Sequence, residues 1–113
     1  MTKNIDMKEV EKIMNAQKEG YDAVIIGIEE TDSHTYYGVE TYENRQGFKI
    51  TLEIDTTDGE TFDEFFGLPK PKSFGKSSIG LFTKKYNQVP KVGQKVKAEI
   101  DENGFFKVVL WTR

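Results

Sequence analysis

The 113-residue sequence contains no cysteine, one histidine, one tryptophan and three prolines. Without cysteine there are no disulfides, no thiolate zinc sites and no cysteine nucleophile. Ser/His/Asp chemistry would hang on His34 alone, and its neighbours supply neither a triad nor a metal-ligand spacing. Long apolar runs are missing too. No window approaches the roughly 18 apolar residues of a membrane span. The first twenty residues, MTKNIDMKEVEKIMNAQKEG, do not read as a signal peptide. These absences lead to the expectation of a cytoplasmic protein that is not an enzyme and carries no cofactor or metal.

A further absence is local. Residues 65–98 hold eight lysines and no acid, a net charge of +8. Residues 1–64 carry −10 and residues 99–113 carry −1, so the overall −3 conceals a cationic block. Such asymmetry shapes the field a partner meets. All eight charges are lysine, which favours sequence-independent phosphate contact over bidentate base reading. The plainer alternative is a solubilising surface, or lysines paired with acids of the first half.

What is present includes eight Phe and five Tyr. In a chain of this length they can supply much of a small β-rich core. Residues 5–19 read as an amphipathic helix with Ile5, Val10, Ile13, Met14 and Gln17 near one stripe, stopped at Gly20. YDAVIIGIEE (21–30) reads as a strand bent at Gly27. HTYYGVETYE (34–43) looks extended, either an added strand or an excursion. FKITLEI (48–54) alternates cleanly, and the Asp58-Gly59 turn joins it to ETFDEFF (60–66). Ser73 is a candidate cap for a helix whose Ile79, Phe82 and Tyr86 recur at i, i+3 and i+7. QKVKAEI (94–100), with Val96, Ala98 and Ile100 inward, and FFKVVLW (105–111) form a last hairpin through Asn103-Gly104.

Three strands, a helix and two strands match the OB fold, a five-stranded, partly open barrel with a helix between strands three and four. The expectation is one mainly β domain: an N-terminal helix over 1–20 and an OB-fold-like barrel over 21–111. The stretch SSIGLFTKKYNQVPKVGQKVKAEIDENGFFKVVL (77–110) resembles the C-terminal half of small OB-fold single-strand-binding proteins of phage and archaeal type. The resemblance rests on a glycine-bearing helix, the Pro90-x-x-Gly93 step and the Asn-Gly hairpin. It implies binding of single-stranded nucleic acid, in DNA replication or repair.

Two competing motifs fail. A phosphate loop ending in Gly75-Lys76-Ser77 would need glycine at position 70, which is lysine. A calcium loop with Gly59 as its sixth-position glycine would need its first ligand at Ile54. The expected function is therefore single-stranded DNA or RNA binding. Arg45, Lys49, Lys70, Lys72, Lys76, Lys84, Lys85, Lys91, Lys95, Lys97 and Lys107 are the candidate backbone contacts. Tyr36, Tyr37, Tyr42, Phe105 and Trp111 are the candidate stacking rings. With about four phosphates neutralised, the log–log salt slope would be near −3. The rival expectation is a protein-interaction adaptor that docks through the acidic half.

Overall fold

The computed structural model describes residues 20–40, 43–56 and 58–111, together with Met7, Lys8, Val10, Glu11, Met14 and Asn15. These six N-terminal residues are helical. The rest of the helix expected over 5–19, including Ile5, Ile13 and Gln17, lies outside the described residues.

The elements run β1 (Tyr21–Asp32), α1 (Ser33–Tyr37), β2 (Gln46–Ile54), β3 (Thr61–Gly67), a 3₁₀ turn (Pro71–Lys76), α2 (Ser78–Tyr86), β4 (Lys95–Ile100) and β5 (Phe106–Val108). The sheet order is β3-β2-β1-β4-β5, with every ladder antiparallel. The two edges then meet. Phe62 of β3 stacks on Phe106 of β5 at 5.7 Å, and Glu64 Oε1 accepts from the Val108 N–H at 2.9 Å. Side chains rather than a backbone ladder thus close a nearly complete, OB-fold-like barrel. α2 lies between β3 and β4, as the element order predicts.

β1 pairs with β2 along one edge and with β4 along the other, and it carries a bulge. Its register with β2 shifts between Ile25 and Gly27. Ile25 is fully buried while Ile26 turns outward. The extra residue at this bulge sharpens the local twist that barrel closure requires. β2 realises its alternation: Ile50, Leu52 and Ile54 are buried, and Lys49, Thr51 and Glu53 are not. From α2, Ile79 and Phe82 enter the same core, with Phe82 against Phe66 at 6.1 Å. Each fully buried ring of this kind is worth up to about 3 kcal/mol.

Three local expectations give way. Ser73 does not cap the helix; Ser77 does, accepting from the Gly80 N–H at 2.9 Å. Pro71 starts a separate 3₁₀ turn whose Phe74 carbonyl packs on Gly80 so closely that any Cβ there would overlap it. Residues 33–37 are a short helix, not extended chain. The Asp32 side chain caps it by accepting from the Thr35 N–H at 2.8 Å, and Gly38 ends it at φ 72°. That hydrogen bond also holds the Asp32 carboxyl below its ordinary range. The local cap outweighs the strand preference of the tyrosines. Finally, the last strand is regular only over Phe106–Val108, Ile100 is exposed, and Val109 is buried out of alternation. After Val108 the ladder gives way to two other hydrogen bonds. Val109 donates to the Lys97 carbonyl at 2.8 Å, and the Tyr86 hydroxyl donates to the Val109 carbonyl at 2.8 Å.

Candidate functional site

The outer face of β2 and β3 carries an unusual pair, Gly47 directly opposite Gly67. Neither has a side chain to stand up from the sheet, so neighbouring side chains lie across it. A Cβ on Gly47 would come within 2.7 Å of the Phe65 ring and 2.4 Å of the Phe66 carbonyl. A Cβ on Gly67 would stand 3.0 Å from the Arg45 guanidinium. The glycines let the Phe65 ring and the Arg45 fork approach the backbone.

α1 packs beside this platform. Tyr36 and Tyr37 approach Phe65 at 5.6 and 6.0 Å and meet each other edge-on at 4.9 Å. Tyr36 is spoken for. Its hydroxyl donates to Asp63 at 2.8 Å, and partial burial, followed by that hydrogen bond, pushes its phenol well above the ordinary range. Tyr37 is free on one side, with 57% of its surface exposed.

Residues 43–45, ahead of β2, are pinned by Ser33, a buried residue. Ser33 N–H donates to the Arg45 carbonyl at 2.8 Å, and Arg45 N–H donates to Ser33 Oγ at 2.9 Å. The His34 N–H donates to Asn44 Oδ1 at 3.2 Å. This clamp sets Arg45 at the rim of a trough of about 500 Å³. Lys70 and Lys76 come to the same trough from the connection after β3, with the hydroxyl-bearing Ser73, Ser77 and Ser78. Tyr37 and Phe65 form the aromatic wall, and Glu43 is the one acid of the lining. Among the described residues, Arg45, Lys70 and Lys76 form no salt bridge. Three unpaired cations beside two ring faces can hold an anionic chain that carries flat groups.

The remaining candidates lie elsewhere. Lys49 shares the outer sheet face with Phe65 but is bound to Glu29 at 3.3 Å. Lys72 is exposed on the 3₁₀ turn, outside the trough lining. Lys91 is exposed in the loop before β4. Lys95 lines a separate cleft of about 420 Å³ with Asp22, Glu53 and Asp55. Lys97 pairs with Asp22 at 2.6 Å. Lys84 and Lys85 close α2, and Lys85 Nζ stands 5.4 Å from the Trp111 ring. Trp111 Nε1–H donates to Glu99 at 2.9 Å, and Lys107 pairs with the same carboxylate at 3.7 Å. Phe105 projects from the β4–β5 hairpin tip. Tyr42 lies outside the described residues. The structure thus gathers Arg45, Lys70, Lys76 and Tyr37 in one place and, in another, Trp111 and Lys107 on Glu99 with Lys85 beside the Trp111 ring.

Two contributors escaped the sequence reading. Phe65 hides in a Phe65-Phe66 doublet, but strict alternation through Phe62, Glu64 and Phe66 turns it to the outer face. Ser33 acts across the loop on residues ten and more positions away, and no local signal marks that.

Comparison of the chain with models of known families, with curated proteins and with solved structures returned no match. Among the described residues, no helix is long and apolar enough to cross a membrane.

Proposed function

We propose that this chain binds single-stranded nucleic acid, laying the phosphate backbone on Arg45, Lys70 and Lys76 and stacking bases on Tyr37 and Phe65. The observation that carries the reading is the trough itself. It unites three cations that form no salt bridge among the described residues with an exposed tyrosine and a phenylalanine whose ring edges up to Gly47. Cations along a strand supply affinity without sequence preference, and each stacked base adds about 1–3 kcal/mol. A duplex hides its base faces, so it can use only the charges. Binding is therefore weakly sequence-selective and prefers a single strand.

The test is fluorescence anisotropy with labelled single-stranded and duplex oligonucleotides at two salt concentrations. Three neutralised phosphates give a log–log slope near −2 on a single strand. Absence of binding at low salt overturns the proposal. Equal affinity for duplex keeps the charges and removes the stacking.

A further inference from the structure

The two walls of the trough are held in different ways. Arg45 stands on the Ser33 clamp, next to a paired strand. Lys76 closes the 3₁₀ turn Pro71–Lys76, and Lys70 precedes it. No residue of that turn is buried, and its first end has no side-chain cap. Phe74, its largest side chain, is 40% exposed. A segment that buries so little lacks the packing that fixes strands and helices, and such segments open first. Hydrogen bonds must supply the placement instead.

Those bonds converge on Ser77. Its N–H is shared between the Ser73 and Phe74 carbonyls, at 3.1 Å each. Its hydroxyl donates to the same Phe74 carbonyl at 2.6 Å and accepts from the Gly80 N–H at 2.9 Å. One side chain thus ties the end of the turn to the start of α2. Gly80 completes the tie. It is buried, and a Cβ there would fall 1.7 Å from the Phe74 carbonyl oxygen. α2 is itself anchored, because Ile79 and Phe82 lie in the barrel core. The contacts therefore run from the core through α2 and Ser77 to the turn, and end at Lys76 beside it.

Ser77 also lines the trough, but it is not placed to hold a phosphate. A hydroxyl binds a phosphate oxygen by donating its proton, and this proton is committed to Phe74. We infer that Ser77 is a positioning residue for strand binding, which fixes the turn so that Lys76 meets the same phosphate path as Arg45. This role rests on the trough being the strand site.

Three full-length variants test it. Ser77→Gly removes the hydroxyl but keeps an acceptable helix start, since glycine caps nearly as well as serine. Gly80→Ala raises helix propensity and drives the Phe74 carbonyl away. Ser77→Thr keeps the hydroxyl. In the unliganded chain, amide exchange over residues 72–77 should be about 5-fold faster in the first two variants, the loss of one typical hydrogen bond, with the strands at the wild-type rate. On a labelled single strand, both should lose one phosphate contact. The log–log salt slope should change from about −2 to about −1.4, and binding at 50 mM salt should weaken about 8-fold while converging on wild type at about 1 M. Ser77→Thr should match wild type in exchange and in slope. Unchanged exchange or an unchanged slope in Ser77→Gly overturns the role. So does an affinity loss that is equal at every salt concentration, which is what general destabilisation gives. Ser77→Gly decides even if Gly80→Ala does not fold. If the wild-type chain binds no strand at low salt, the binding proposal has failed and the positioning role falls with it. If wild type binds and Ser77→Gly binds identically, the role fails alone.

Discussion

The two sides of this barrel use the same residue type to opposite ends. Beside β2 and β3, Lys70 and Lys76 stand with Arg45 over a trough and have no salt-bridge partner among the described residues. On β4 and β5, Lys97 is held by Asp22, and Lys107 shares Glu99 with the Trp111 indole. Uncommitted cations keep their field for a ligand. Committed ones spend it on neighbours, and an exposed pair of that kind returns only about 0–1 kcal/mol of stability. Net charge per segment is therefore a poor guide to where an anion binds. What counts is which positive groups have no acid within reach.

The sharpest way to break this contrast is to reverse charges on each side separately. Wild-type affinity for a single strand, with a slope near −2, should fall about 16-fold between 50 and 200 mM salt. Arg45→Glu with Lys76→Glu leaves one phosphate contact, so the same salt step should cost only about 3-fold, from a much weaker starting affinity. Lys97→Glu with Lys107→Glu should keep the wild-type slope. Anisotropy titrations over that salt range compare the pairs. Equal loss from both would mean the paired lysines also carry the ligand, and the contrast would be void.

A second, smaller effect separates the rings. Tyr37→Ala should cost about 1–3 kcal/mol of binding, a factor of roughly 5 to 150, with no loss of fold because the ring is mostly exposed. Phe105→Ala, at the hairpin tip of the other side, should leave the dissociation constant unchanged. A larger loss from Phe105 than from Tyr37 would move the stacking surface to the β4–β5 tip.

How far the sequence reveals all this depends on the range of the interactions involved. The alternation of Ile50, Leu52 and Ile54, the Asp-Gly turn, the bend at Gly27 and the stripe of Ile79 and Phe82 are local patterns, and each marks its element. The Asp32-to-Thr35 cap is local as well, but the neighbouring tyrosines read more strongly as strand. The site is less legible. Tyr37, Lys70 and Lys76 can be suspected, because a ring in a polar segment and lysines in an acid-free block are visible in one dimension. The commitment of Lys97 to Asp22 spans 75 residues, and that of Lys49 to Glu29 spans the β1–β2 ladder. Nothing short of the register distinguishes those lysines from the free ones. Gly47 and Gly67 become meaningful only once they face each other.

The seam between β3 and β5 joins the two sides and supplies the finest test. Glu64 points inward there, and burial raises its carboxyl above the ordinary value of 4.5, although the Val108 N–H and Lys107 favour the charged form. Between 4.5 and that raised value the folded chain holds a proton that the unfolded chain has released. Stability therefore falls as pH rises through this window, and above it the buried charge is a constant cost. Glu64→Gln keeps an acceptor for Val108 without the charge. It should be more stable than wild type at pH 7, and the difference should shrink on acidification towards pH 4.5. Glu64→Met leaves the buried Val108 N–H unsatisfied and should fall below the Gln variant by about 1–3 kcal/mol. Urea unfolding at several pH values reads both effects. Neither variant touches the trough, so strand affinity should stay at the wild-type value. If it moves with Glu64, the seam couples the two sides, and the trough owes its shape to β5 as well as to the glycine pair beneath it.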